Sequence, residues 1–97
     1  MFASYIEMKM KPGSVSQAKD LTSALEPEIR ALGLKQFLLI DKGNDEALVI
    51  AIYETAAEQE AAAEGAKKIL GKYADMFVAP PSRNMVEIIH NFQYSKT

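Results

Sequence analysis

Residues 47–55, ALVIAIYET, decide how this chain folds. Seven consecutive apolar residues, the last of them Tyr53, run into Glu54 and Thr55. With the two-residue period of a strand, Leu48, Ile50 and Ile52 fall on one side and Ala47, Val49, Ala51 and Tyr53 on the other. Antiparallel strands in small domains usually turn one face to the core and one to water. A strand apolar on both faces needs two covers.

The flanking sequence supplies the first cover. Upstream, LKQFLLID (34–41) reads as a strand and Lys42-Gly43-Asn44-Asp45 as a turn, so these two strands form a hairpin. Downstream, Thr55 followed by Glu58 is a capping box that opens a helix running to about Lys72. Its buried stripe is Ala62, Ala66, Ile69, Leu70 and Tyr73, while Glu58, Glu60 and Glu64 form a solvated face. Further out, FASYIEMKM (2–10) alternates as a strand and stops at Lys11-Pro12-Gly13. Ser14 with Gln17 is a second capping-box pattern, followed by a helical stripe of Val15, Ala18, Leu21, Leu25, Ile29 and Leu32. Pro27 is expected to kink or split that helix near Glu26, and Gly33 to end it in a left-handed cap. After Met76-Phe77-Val78 and Ala79-Pro80-Pro81, residues 82–92 read as a fourth strand.

The order is strand, helix, strand, strand, helix, strand, with no linker, so residues 1–97 are expected to form a single domain. That order fits the ferredoxin-like split βαβ arrangement, α+β with a four-stranded antiparallel sheet. Right-handed crossovers send both helices to one face. The other apolar face would then be an exposed patch of a size monomers rarely keep. A second copy of the chain, packed sheet to sheet about a two-fold axis, covers it. The competing reading is a small-molecule pocket open in a monomer.

Composition narrows the function. Hydrophobic residues at 48% and charged residues at 25% describe an ordinary globular chain. A net charge of −2 with no basic cluster argues against a nucleic-acid partner. Without cysteine there is no disulfide, thiolate nucleophile or cysteine-rich metal site. The stretch MFASYIEMKMK lacks a basic region followed by a long apolar run, so it is not expected to be a signal peptide; no stretch approaches the roughly 18 apolar residues of a membrane span, so no membrane partner is expected and the cytoplasm is the expected compartment. The glycines at 13, 33, 43, 65 and 71 match no phosphate-binding loop, and no cofactor is expected.

Lys11-Pro12-Gly13 after the first strand and Tyr53-Glu54-Thr55 entering the second helix, together with the element order over residues 2–92, resemble the antibiotic biosynthesis monooxygenase-like (ABM) domains of the dimeric α+β barrel superfamily. The resemblance implies a dimeric α+β barrel. Some such proteins oxidise polycyclic aromatic substrates with O₂ and neither metal nor flavin, others degrade heme, and related barrels only bind ligands. It also implies that Tyr53 occupies the position of a pocket aromatic and that Arg83 is the nearest match to a substrate-assisting arginine near the start of the last strand. The heme-degrading pattern is disfavoured: the first strand carries Ser4, Ile6 and Met8 rather than Asn, there is no Trp, and the second helix has no His.

Three residues carry the candidate chemistry. Tyr53 could hydrogen-bond a substrate phenol or carbonyl, or simply pack with its hydroxyl satisfied. His90, the only histidine, is placed by two-residue spacing beside Val86, Ile88 and Phe92 as a general base, or as a core or interface histidine. A single histidine without acidic neighbours at ligand spacing makes no metal site. Arg83 could stabilise an anionic substrate, or be a solvated loop charge. The expected function is a small cofactor-independent monooxygenase-like enzyme acting on an aromatic or enolisable molecule. The alternative is a non-catalytic dimeric small-ligand-binding or stress-related module.

Overall fold

Each alternating segment forms a strand and each three-to-four stripe a helix. The computed structural model describes residues 1–95. In chain order they form β1 (Phe2–Lys9), α1 (Ser14–Ala24), α2 (Glu26–Arg30), β2 (Gln36–Gly43), β3 (Glu46–Tyr53), α3 (Ala56–Ala61), α4 (Ala63–Gly71), a 3₁₀ turn (Ala74–Met76) and β4 (Ser82–Glu87). The strands make one antiparallel sheet in the order β2-β3-β1-β4, which is the ferredoxin-like arrangement. Among the described residues no helix is long and apolar enough to cross a membrane.

Both helical segments are split, for different reasons. Pro27 lies in the first turn of α2, where its missing N–H costs nothing. The break falls on Leu25, beside the Glu26 boundary expected from sequence, and hydrogen bonding crosses it from Ile29 N to Leu25 O at 2.9 Å. Gly33 closes the segment at φ 82, its N–H donating to Arg30 O. The second helix is interrupted at Ala62, but Ala62 N to Glu58 O (3.1 Å) and Ala66 N to Ala62 O (2.8 Å) carry the ladder through. Thr55 caps it as the sequence predicts, its Oγ1 accepting from Glu58 N at 3.1 Å.

The capping box at Ser14 does not form. Ser14 N donates to Lys11 O, closing a tight turn that requires Gly13 at φ 80, so Gly13 takes the cap position and Ser14 is drawn into the helix and buried. The Gly13 N–H is satisfied by Asp45 Oδ1 at 3.2 Å. Asp45 belongs to the β2–β3 turn, where Asn44 (φ 54) and Asp45 (φ 60) supply the two left-handed residues a tight hairpin needs.

β4 is the other departure, six residues rather than the eleven read from sequence. Its partner sets its length: Glu87 pairs with Phe2, the first residue of β1, and Ile88 N makes one further bond to Met1 O at 2.9 Å. β1 spans Phe2–Lys9, and the ladder with β4 ends at its first residue. His90 and Phe92 therefore lie outside the strand, and no strand face carries them.

Residues directly opposite across a ladder share a face, so the registers define both sides of the sheet. Toward the helices point Phe37 and Leu39 of β2, Ala47, Val49, Ala51 and Tyr53 of β3, Ser4, Ile6 and Met8 of β1, and Arg83 and Met85 of β4. The opposite face presents Leu38 and Ile40, Leu48, Ile50 and Ile52, Tyr5, and Val86 as one patch across all four strands. Leu38, Ile40 and Val86 are exposed and the others half-buried.

Candidate functional site

The helix-facing side of the sheet is thin at its centre. Ser4 and Ala51 stand opposite each other between Phe37 and Met85, and the helix above contributes Ala66. Small side chains from both layers leave a void, a cavity of about 50 Å³ walled by Ile6, Val49, Phe37, Leu32, Ile69 and Leu70. Its polar lining comes from Ser4, Thr22, Tyr53, Tyr73 and Arg83.

Tyr53, the last residue of β3, is 1% exposed. Burial raises the pKa of its phenol above the ordinary 10.0, and the charge of Arg83 and a hydrogen bond from it pull the other way. The phenol is therefore neutral at physiological pH. As a neutral phenol it keeps a proton to give.

Arg83 is the second residue of β4 and faces the helices opposite Ile6, rather than standing in a loop before the strand. It is half-buried. Its Nη2 donates to Ser4 Oγ at 3.2 Å and its Nη1 lies 3.7 Å from Met85 Sδ. Among the described residues no carboxylate lies within ion-pairing distance of it, the ion pairs being made elsewhere by Arg30, Lys35, Lys42 and Lys72.

The structure thus brings Tyr53 and Arg83 together at one cavity. His90 does not join them: it is exposed, its ring lies against Phe92 with centroids 5.7 Å apart, and it is no part of the cavity wall.

Three residues of the site did not emerge from sequence reasoning. Gln59 in α3 is 4% exposed and reaches back to β1, its Nε2 donating to Ala3 O (2.9 Å) and Ser4 Oγ (3.0 Å). Ser4, 2% exposed, is the meeting point of Gln59 and Arg83. Thr22 in α1 pairs with Tyr73 at 2.7 Å on another part of the wall. Each is a polar residue on an apolar stripe: Gln59 precedes Ala62 and Ala66, Thr22 follows Ala18 by one turn, and Ser4 sits between Phe2 and Ile6. That mismatch is the signal that could have found them.

Comparisons with known proteins extend the geometry. No protein-family model matches the sequence, and no curated protein matches it. Solved structures do match. NE2512, a protein of unknown function from Nitrosomonas europaea, superposes with a TM-score of 0.79 at 18% identity, covering 98% of this chain and 95% of that one. An antibiotic biosynthesis monooxygenase superposes at 0.72 and 12% identity, covering 93% of this chain and 100% of the other. The chain shares the ferredoxin-like α+β fold of these proteins. A dimeric ferredoxin-like protein from an uncultured marine organism matches at 0.74 and 13% identity over 97% of this chain and 92% of its own. At these identities the likeness to ABM proteins establishes the architecture, and the chemistry has to be argued from the cavity.

Proposed function

We propose that the chain is a small cofactor-independent monooxygenase-like enzyme that takes an aromatic or enolisable small molecule into this cavity as its anion. The observation that carries the reading is Arg83. A half-buried guanidinium hydrogen-bonded only to neutral groups, at an apolar cavity, is an unmatched positive charge that an oxyanion completes. Tyr53, neutral and with a proton to give, would hydrogen-bond the same oxygen.

Among the described residues no carboxylate or imidazole is part of the cavity wall, so none of them there is suited to act as a general base near neutral pH. The substrates this favours are acidic phenols and enols, whose ionisation a neighbouring cation promotes without a protein base. The resulting carbanion is electron-rich enough to reduce O₂ directly. A methylene then becomes a carbonyl: the carbon keeps one oxygen atom, and the second leaves as water with the two protons the methylene gave up. The protein's part is to hold the anion and keep bulk water from it. An engineered apolar cavity of about 150 Å³ takes benzene, so a ring enters this one of about 50 Å³ only as the wall formed by Leu32, Ile69 and Leu70 moves outward. His90 is set aside, since its position in the chain supports no contact with the bound molecule.

The reading includes a homodimer through the outer sheet face. It is supported by the continuous apolar patch from Leu38 to Val86 and by the dimeric neighbour of the same fold. It treats residues 1–97 as one domain and the cytoplasm as its compartment, with neither cofactor nor metal taking part.

A second reading, a dimeric module that binds such ligands without turning them over, is favoured by the same lack of a base. Oxygen uptake and ligand binding over a panel of phenols and enolisable ketones separate the two. Uptake that disappears in Arg83→Leu and falls in Tyr53→Phe supports the enzyme, and binding without uptake supports the module. A panel that neither binds nor consumes oxygen removes both.

A further inference from the structure

The hydrogen bonds around Ser4 have only one consistent assignment of donors. Ala3 O can only accept, so the Gln59 side chain must turn its nitrogen toward β1. That same nitrogen lies 3.0 Å from Ser4 Oγ, so the serine accepts from it. Arg83 Nη2 can only donate, and at 3.2 Å the serine accepts again. Both lone pairs of Ser4 Oγ are then occupied. Its hydroxyl proton is the one group left over, and no acceptor is paired with it among the described residues. Ser4 is part of the cavity wall, whereas Gln59 is packed behind it.

We propose that Gln59 is a positioning residue that fixes Ser4 as a donor aimed into the cavity, where with Arg83 it completes a seat for one anionic oxygen of the bound molecule. The ligand class is an apolar body bearing a single phenolate or enolate oxygen at its Arg83 end. This deepens the anion-site reading and rests on it. A neutral donor beside the cation adds direction to charge: an oxygen within reach of both is held in a defined line, and a methyl group in its place leaves two donors unpaired.

The test uses 4-nitrophenol, whose ionisation and binding are read by absorbance, against 4-nitrotoluene, which has the same body without the oxygen. The full-length wild-type chain is expected to bind the phenolate and depress its apparent pKa, and to prefer it over the toluene. Ser4→Ala removes the proton and should cut that preference about tenfold, while leaving toluene binding unchanged. Ser4→Thr, which restores a hydroxyl, should recover it. Gln59→Glu is nearly isosteric but accepts where glutamine donates, so it draws the Ser4 proton away from the cavity and should also abolish the preference. The ratio between ligands is the deciding quantity, since a merely loosened fold weakens both. If Arg83→Leu abolishes phenolate binding while Ser4→Ala and Gln59→Glu keep the wild-type ratio, the seat is overturned and the anion site stands. If the wild-type chain shows no preference, both fall.

Discussion

Tyr73 and Thr22 meet oxygen to oxygen at 2.7 Å, and the direction of that bond is fixed by a third group. Thr22 has one hydroxyl proton and gives it to Ala18 O, also at 2.7 Å, so Tyr73 is the donor. Burial raises the Tyr73 pKa above 10.0. A threonine free to donate back would lower it, but Thr22 has spent its proton on α1, so the bond also favours the protonated phenol.

Tyr53 and Tyr73 therefore make the fold sensitive to alkali. Both hold their protons beyond the pH at which an unfolded tyrosine ionises. Above that point the unfolded chain binds fewer protons than the folded one, and stability falls with rising pH. Their contribution is whole below about pH 10 and is lost as pH climbs through the two raised values. Urea midpoints measured between about pH 8 and about pH 11 should decline, and more shallowly in Tyr53→Phe/Tyr73→Phe. Equal slopes in the two chains would contradict the raised pKa values.

Gly65 of α4 lies against Leu32. A methyl group built on it would stand 2.6 Å from Leu32 Cδ2, so the leucine must move, and its free side is the cavity. Alanine also improves the helix by about 1 kcal/mol, which offsets the crowding. Gly65→Ala should therefore change stability by no more than about 1 kcal/mol while weakening 4-nitrophenolate binding at least several-fold. Thermal melts and absorbance titrations on the same sample check both halves.

Ile50 lies near the middle of the outer face, between Leu38 and Tyr5. Ile50→Asp places a charge where the proposed dimer must be dry. Sedimentation at micromolar concentration should show a wild-type dimer and a variant monomer, with the strands retained by circular dichroism. A monomeric wild-type chain would remove the dimer.

The Thr55 cap is local and testable alone. Thr55→Ala frees the Glu58 N–H at the start of α3 and should cost about 1 kcal/mol of stability, read from urea unfolding. Thr55→Asp keeps an acceptor in the same place and should lose little.

The architecture was legible because backbone periodicity is local. Alternation in 2–10, the apolar run 47–53, the stripes from Val15 and Ala62, and the Thr55 cap each depend only on near neighbours. What sequence reasoning missed depends on distant partners. β4 is short because β1 ends beneath it, so His90, regular in spacing, falls off the strand. The Ser14 box failed because Gly13 is held by Asp45, thirty-two residues away. Tyr53 and Arg83 were singled out through a family resemblance, and the cavity brings them together. Ser4 was read only as a strand position. Gln59 was hidden among the charges of its own helix, since its partners lie fifty-five and fifty-six residues upstream.

The void itself has a consequence for how such a chain responds to selection. At about 24 cal/mol per Å³, an unfilled 50 Å³ withholds roughly 1.2 kcal/mol of packing that larger side chains could recover. Substitutions enlarging Ala51 or Ala66 are the easiest route to a hotter melting point, and each would fill the proposed site. Heat-resistant survivors of a random library should therefore concentrate around the cavity and trace the wall of the proposed site.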